Sequence, residues 1–80
     1  MENLENLLIS LSKGLVENKD SVNVTVDEPN EEGIIVYHLE VDTPDKGRVI
    51  GKQGRIAKAI RVVMRAAANR VGKRIMVDIV

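Results

Sequence analysis

A small α+β domain in the order α-β-β-α-α-β, with one three-stranded sheet and helices packed on one face, is what this chain predicts. Three observations predict it. Apolar residues recur at helical spacing near the N-terminus; three short stretches alternate apolar and polar residues; and a strongly basic helical pattern, entered through a pair of glycines, separates the second stretch from the third. Mixed order over 80 residues leaves room for one domain, residues 1–80, with one sheet and one helical layer.

The elements follow in turn. Leu4, Leu7, Leu8, Leu11, Leu15 and Val16 predict an amphipathic helix over about residues 2–17, weakened at Gly14 and ended by Asn18-Lys19-Asp20-Ser21. Val22, Val24 and Val26 alternate with Asn23, Thr25 and Asp27 as a half-buried strand, and Glu28-Pro29-Asn30-Glu31-Glu32-Gly33 is a charged turn. A second strand carries Ile35, Tyr37, Leu39 and Val41 on one side and Ile34, Val36, His38 and Glu40 on the other. Thr43-Pro44-Asp45 reads as a helix start, with Thr43 as the cap and proline at the first helical position. That helix is expected to be short, ending near Ile50. A long one follows from Arg55 to about Val71, stopped by Gly72, and Ile75, Val77 and Ile79 mark the last strand.

Hydrophobic content of 44% suits a globular chain, and the single aromatic, Tyr37, leaves Val, Ile, Leu, Ala and Met to build the core. The absence of cysteine excludes disulfides and thiolate metal sites. With neither a signal peptide nor a membrane-spanning run in view, a soluble cytoplasmic protein is expected. Formal net charge is zero, yet the halves differ sharply. Residues 1–45 hold 2 basic and 11 acidic side chains, net −9, and residues 46–80 hold 10 basic and 1 acidic, net +9. Positive charge therefore gathers around the glycine pair and the helix after it, where a polyanion would be held.

On the long helix Arg55, Lys58, Arg61, Arg65 and Asn69 share one arc. Ile56, Ile60, Val63 and Ala67 form the centre of the apolar side, expected to face the sheet, flanked by Ala57, Met64 and Ala68 on one side and Ala59, Val62 and Ala66 on the other. This apolar arc of roughly 200° is wider than one core requires. A ligand groove or a partner subunit is expected to cover the surplus. Ala57, Ile60, Met64 and Ala68 are the candidate dimer face, with the mating flank left open.

Catalysis is not expected. His38 is the lone imidazole and lies mid-strand with neither a cysteine nor a convincing acid partner; Glu28, Glu31 and Glu32 read as a solvated turn rather than a metal site; Thr43 is a cap. The chemistry instead concentrates in Gly47-Arg48-Val49-Ile50-Gly51-Lys52-Gln53-Gly54-Arg55. Gly51 and Gly54 let a backbone approach closely, the helix after them offers unpaired N–H groups, and Lys52 adds a full charge. A nucleotide-binding P-loop is excluded. The spacing is one residue short, and Gln53 stands where Ser or Thr would hold magnesium.

With an isoleucine before a G-x-x-G segment that joins two helices, this stretch resembles the signature of the KH domain. The helix and strand ahead of the β-α-α-β core resemble the type II, prokaryotic arrangement, over essentially the whole chain, closest to small bacterial single-KH RNA-binding proteins. The resemblance implies single-stranded RNA binding, with about four nucleotides held across the loop. By it, Gly51, Lys52, Gln53 and Gly54 contact the sugar-phosphate backbone, Ile50, Ile56 and Ala57 line an apolar groove under the bases, and Arg55 and Lys58 reach phosphates at its rim. Aliphatic rather than aromatic supports imply low sequence specificity. The resemblance further implies an RNA chaperone or post-transcriptional regulator linked to bacterial cell growth and shape. It implies a homodimer, a heterodimer with a larger KH-containing RNA-binding protein, or both, with no membrane, metal or cofactor. The alternative is a dimeric scaffold whose RNA contact comes mainly from a partner.

Overall fold

The computed structural model describes residues 3–79, and of Lys52 and Gln53 the backbone alone. Helix α1 spans Leu4–Leu15, β1 Asn23–Val26, β2 Ile34–Glu40, α2 Thr43–Arg70 and β3 Arg74–Ile79, with one 3-10 turn at Lys19–Ser21 before β1. Asn3 caps α1, its side-chain oxygen accepting the amide of Asn6 at 3.1 Å, while Glu5 and Lys13 complement the helix dipole at its two ends.

The sheet order is β1-β2-β3, with β1 antiparallel and β3 parallel to the central β2. Register places Val24 opposite Leu39, Val26 opposite Tyr37, and Tyr37 opposite Val77, so these side chains share the face under the helices. Thr25, His38 and Asp78 align on the opposite face. The core joins Leu4 and Leu8 of α1, Tyr37 and Leu39 of β2, Val77 of β3, and Val49, Ile60 and Met64 of α2. The chain's one aromatic ring is thereby committed to the core. Burial first, and Glu5 second, push the Tyr37 hydroxyl above its ordinary pKa.

Helix α2 departs from expectation in three ways. Its cap is Asp42 rather than Thr43: the Asp42 carboxylate accepts the Thr43 amide at 3.1 Å, so Thr43 already has helical backbone and Pro44 moves one place in. The interruption expected after Ile50 is absent; helical backbone continues through Gly51, Lys52 and Gln53. The break falls on Gly54 alone, whose φ of 68° lies in the left-handed region. A straight rod of 28 residues would run about 42 Å at 1.5 Å per residue. The whole molecule extends 33 Å along its longest axis, so α2 bends. Two arms result, residues 43–53 and residues 55–70. At the far end Gly72 (φ 69°) stops the helix, with Gly72 N–H donating to Asn69 O and Lys73 N–H to Ala68 O, a Schellman closure.

The third departure concerns which face of the second arm is buried. Ala57, Ile60, Met64 and Ala68, expected as a dimer face, are inside this chain's own core, each no more than 4% exposed. Val63, expected to face the sheet, is 42% exposed and Val62 is 64% exposed. The arm packs against α1 as well as against β3, and that second neighbour turns its inward face toward the Ala57–Met64–Ala68 flank. What remains outside is the other flank. There Leu7, Val62, Val63, Ala66, Ala67 and Arg70 line an open groove of about 530 Å³.

Candidate nucleic-acid interface

The first arm of α2 is fastened to the exit of α1 before it reaches the bend. Asp45 is 3% exposed and accepts the backbone amides of Glu17 (3.1 Å) and Asn18 (2.9 Å). These two donors, with Arg48 adding charge, hold its carboxyl below the ordinary value of 3.8. Asn18 Nδ2 donates to Asp42 at 3.1 Å, and Arg48 pairs with Glu17 at 2.9 Å, which raises the guanidinium pKa further. Val49, 1% exposed, anchors the next turn in the core, while its neighbour Ile50 is 48% exposed.

From this base the chain enters the bend. The two glycines have different reasons to be glycine. Gly54 needs the left-handed backbone. Gly51 has helical backbone, and a methyl group there would meet nothing within 4 Å among the described residues. Neither backbone angle nor packing asks for glycine at 51, and glycine in a helix costs about 1 kcal/mol relative to alanine.

The sequence-expected site residues separate by depth. Gly51, Gly54 and Ile56 are half-buried, Ile50, Arg55 and Lys58 are exposed, and Ala57 is buried beneath them. The side chains of Lys52 and Gln53 lie outside the described residues. Among the described residues, the carboxylates that form ion pairs are Glu17, Asp27 and Asp78, and none of them meets Arg55 or Lys58. Neither Arg55 nor Lys58 is neutralised by them.

Arg61 and Arg65 belong to the basic arc expected from helical spacing. The structure sets them along the free edge of β3. Arg61 Nε donates to the Val77 carbonyl at 3.2 Å, and Arg61, Arg65, Ile75, Met76 and Val77 line a cleft of about 100 Å³. A second cleft of about 230 Å³ continues past Arg65 to Lys73 and Arg74. The basic surface thus runs from the bend along the second arm to the start of β3. Helical spacing revealed the arc; that β3 is an edge strand beside it is a matter of sheet order, which no local pattern in the sequence encodes.

His38 corrects another expectation. It has two acid partners: Nε2 meets Asp27 Oδ2 at 2.7 Å and Nδ1 meets Asp78 Oδ2 at 3.2 Å. The Asp27 hydrogen bond foremost, opposed by partial burial and aided by Asp78, raises the imidazole above 6.5. The three groups do not form a metal site, since the carboxylates lie at different ring nitrogens, and no metal-holding cluster occurs among the described residues. They link β2 to β3 and to Asp27, the residue just after β1, on the face opposite the helices.

Comparison with known proteins agrees with this architecture. The family model described as the KH domain of KhpA/KhpB matches residues 5–79. The chain belongs to the KhpA/KhpB family of KH domains. RNA-binding protein KhpA of Aquifex aeolicus (strain VF5) is 43% identical over 79 residues, covering 99% of this chain and 98% of that protein. RNA-binding protein KhpA of Clostridium acetobutylicum is 47% identical over 77 residues, covering 96% of this chain and all of that protein. The KhpA family is non-enzymatic, in agreement with the reading of no catalysis. Among solved structures, Aquifex aeolicus Era bound to GDP.AlF4- superposes on 95% of this chain with a TM-score of 0.66 at 17% identity, a likeness of fold; this chain spans 29% of that one. The type II KH topology expected from the sequence is therefore the fold of this KhpA-like domain. No described helix is long and apolar enough to cross a membrane.

Proposed function

We propose that this domain binds single-stranded RNA across the Gly51–Gly54 bend. The observation that carries the reading is the helix bend at left-handed Gly54, one turn after Gly51, set beside Arg55 and Lys58, which the described carboxylates leave unpaired. The phosphate backbone passes over Gly51 and Gly54, with Lys52 and Gln53 at closest approach and Arg55 and Lys58 along the rim. Ile50 and Ile56 carry the bases, and Ala57 supports them from beneath. Because the only aromatic ring is buried, bases rest on aliphatic surface and sequence discrimination is low. An RNA chaperone or post-transcriptional regulator in the cytoplasm fits such a surface, as does the RNA-binding name of the KhpA relatives.

The test is a fluorescence anisotropy titration with single-stranded RNA. Replacing Lys52 and Gln53 together by Asp removes binding while leaving the circular dichroism spectrum and melting temperature nearly unchanged. Unaltered affinity overturns the reading. For about 3–4 neutralised phosphates the log–log salt slope is roughly −2 to −3 per protomer.

A second reading has its own observation. The apolar groove beside Val62 and Val63 supports a homodimer, or pairing with a larger KH-containing protein, that presents two RNA sites together. Its residues are the exposed flank, not Ala57, Ile60, Met64 and Ala68.

A further inference from the structure

The free edge of β3 holds a contact that the bend does not explain. β3 pairs with β2 on one side only, so its other edge is free of strand pairing. Arg61 reaches that edge and donates from Nε to Val77 O at 3.2 Å, in a part-buried position, although the residue as a whole is exposed. A guanidinium carries five N–H donors in a planar fork, and this contact uses the one nearest the stem. The terminal nitrogens, four N–H groups in all, remain. Fixing Nε also fixes the plane and direction of the fork.

We propose that Arg61 is a second phosphate seat, separate from the glycine bend: Val77's carbonyl holds Nε, and the two terminal nitrogens grip one phosphodiester of the bound strand in a bidentate pair. The proposal rests on the RNA-binding reading and extends it along the groove. Arg61 follows Arg55 by six residues, about 9 Å along the helix, and Arg65 follows about 6 Å further on. A strand leaving the bend therefore meets Arg61 before the cleft shared by Arg65, Lys73 and Arg74. Arginine suits this position because one side chain can serve a carbonyl and a phosphate at once with fixed geometry. Lysine, a single ammonium, supplies equal charge without the fork.

The charge-conserving substitution separates this seat from general attraction. In anisotropy titrations of the full chain with an eight-nucleotide single-stranded RNA, Arg61→Lys weakens binding about three- to tenfold. Its salt slope stays that of the parent protein, since the charge is unchanged. Arg61→Gln weakens binding further and makes the slope shallower by about 0.7, the loss of one phosphate contact to a single strand. If Arg61→Lys binds like the parent, Arg61 acts by charge alone and the seat is overturned. If the parent protein binds no RNA, the RNA-binding reading falls and takes the seat with it. If the Lys52→Asp, Gln53→Asp variant loses binding while Arg61→Lys does not, only the seat falls.

Discussion

The buried carboxylate of Asp45 accepts the backbone amide of Asn18, 27 positions earlier, at 2.9 Å. One acid in the first turn of α2 thus closes the exit of α1, and the arm that carries the bend is set by that closure. Asp45→Asn keeps the shape and discards the charge that two amides converge on. It lowers the melting temperature at neutral pH. Because the folded pKa is depressed below 3.8, the stabilisation is present above that value and is lost as pH falls through the lower, folded one. Chemical denaturation across the acid range checks this: the parent loses stability below about pH 4, and the variant's curve is flatter there.

His38 gives a dependence of opposite sign. Its folded pKa is raised above 6.5, so its contribution is complete below that value and fades as pH rises through the folded one. Both ring nitrogens donate only when the imidazole is charged; the neutral ring can donate to just one of Asp27 and Asp78. NMR titration of the single histidine reads the shift directly. Asp27→Asn lowers the pKa more than Asp78→Asn, and an unshifted histidine in the parent protein refutes the bridge.

The two glycines of the bend respond oppositely to alanine. Gly54→Ala destabilises by about 1–2 kcal/mol, because a side chain must adopt left-handed backbone. Gly51→Ala stabilises by roughly 0.5–1 kcal/mol, since its backbone is helical and the added methyl meets nothing. The same Gly51→Ala change weakens RNA binding. Urea denaturation beside anisotropy checks both; equal stability effects at the two positions contradict the assignment.

Ser12 is 0% exposed, and its hydroxyl has no hydrogen-bond partner among the described residues. Ser12→Ala removes an unsatisfied polar atom and places a better helix former in α1. The expected gain is about 1 kcal/mol, or roughly 4–8 °C in a domain of this size. A calorimetric scan showing a loss would mean that the hydroxyl is satisfied in solution.

Val62 and Met64 test the association surface. Val62→Glu, on the exposed flank, abolishes self-association in sedimentation without loss of melting temperature, whereas Met64→Glu, at 0% exposure, unfolds the chain. A parent protein that sediments only as an 8.8 kDa species refutes the homodimer.

The strands were legible because Val24, Tyr37, Leu39 and Val77 alternate with polar residues, and the end of α2 because Gly72 and Lys73 form a standard closure. The bend was legible as two glycines but not as one hinge residue, since sequence does not distinguish helical Gly51 from left-handed Gly54. The buried face of the second arm was misjudged because α1 packs on it; periodicity reports an apolar arc, not how many neighbours share it. The acid partners of His38 and the Arg61–Val77 contact join residues 40 and 16 positions apart or brought together by strand order. Such pairings exist only once the sheet is assembled.

Parallel pairing of β2 with β3 has a kinetic consequence. Two parallel neighbours require a long crossover, and here the crossover is α2 itself, bend included. The last strand cannot dock until that loop of chain has closed, so the proposed RNA-binding surface matures in the same slow, long-range event that completes the domain. A nascent chain stalled before residue 74 lacks both its third strand and one wall of the groove.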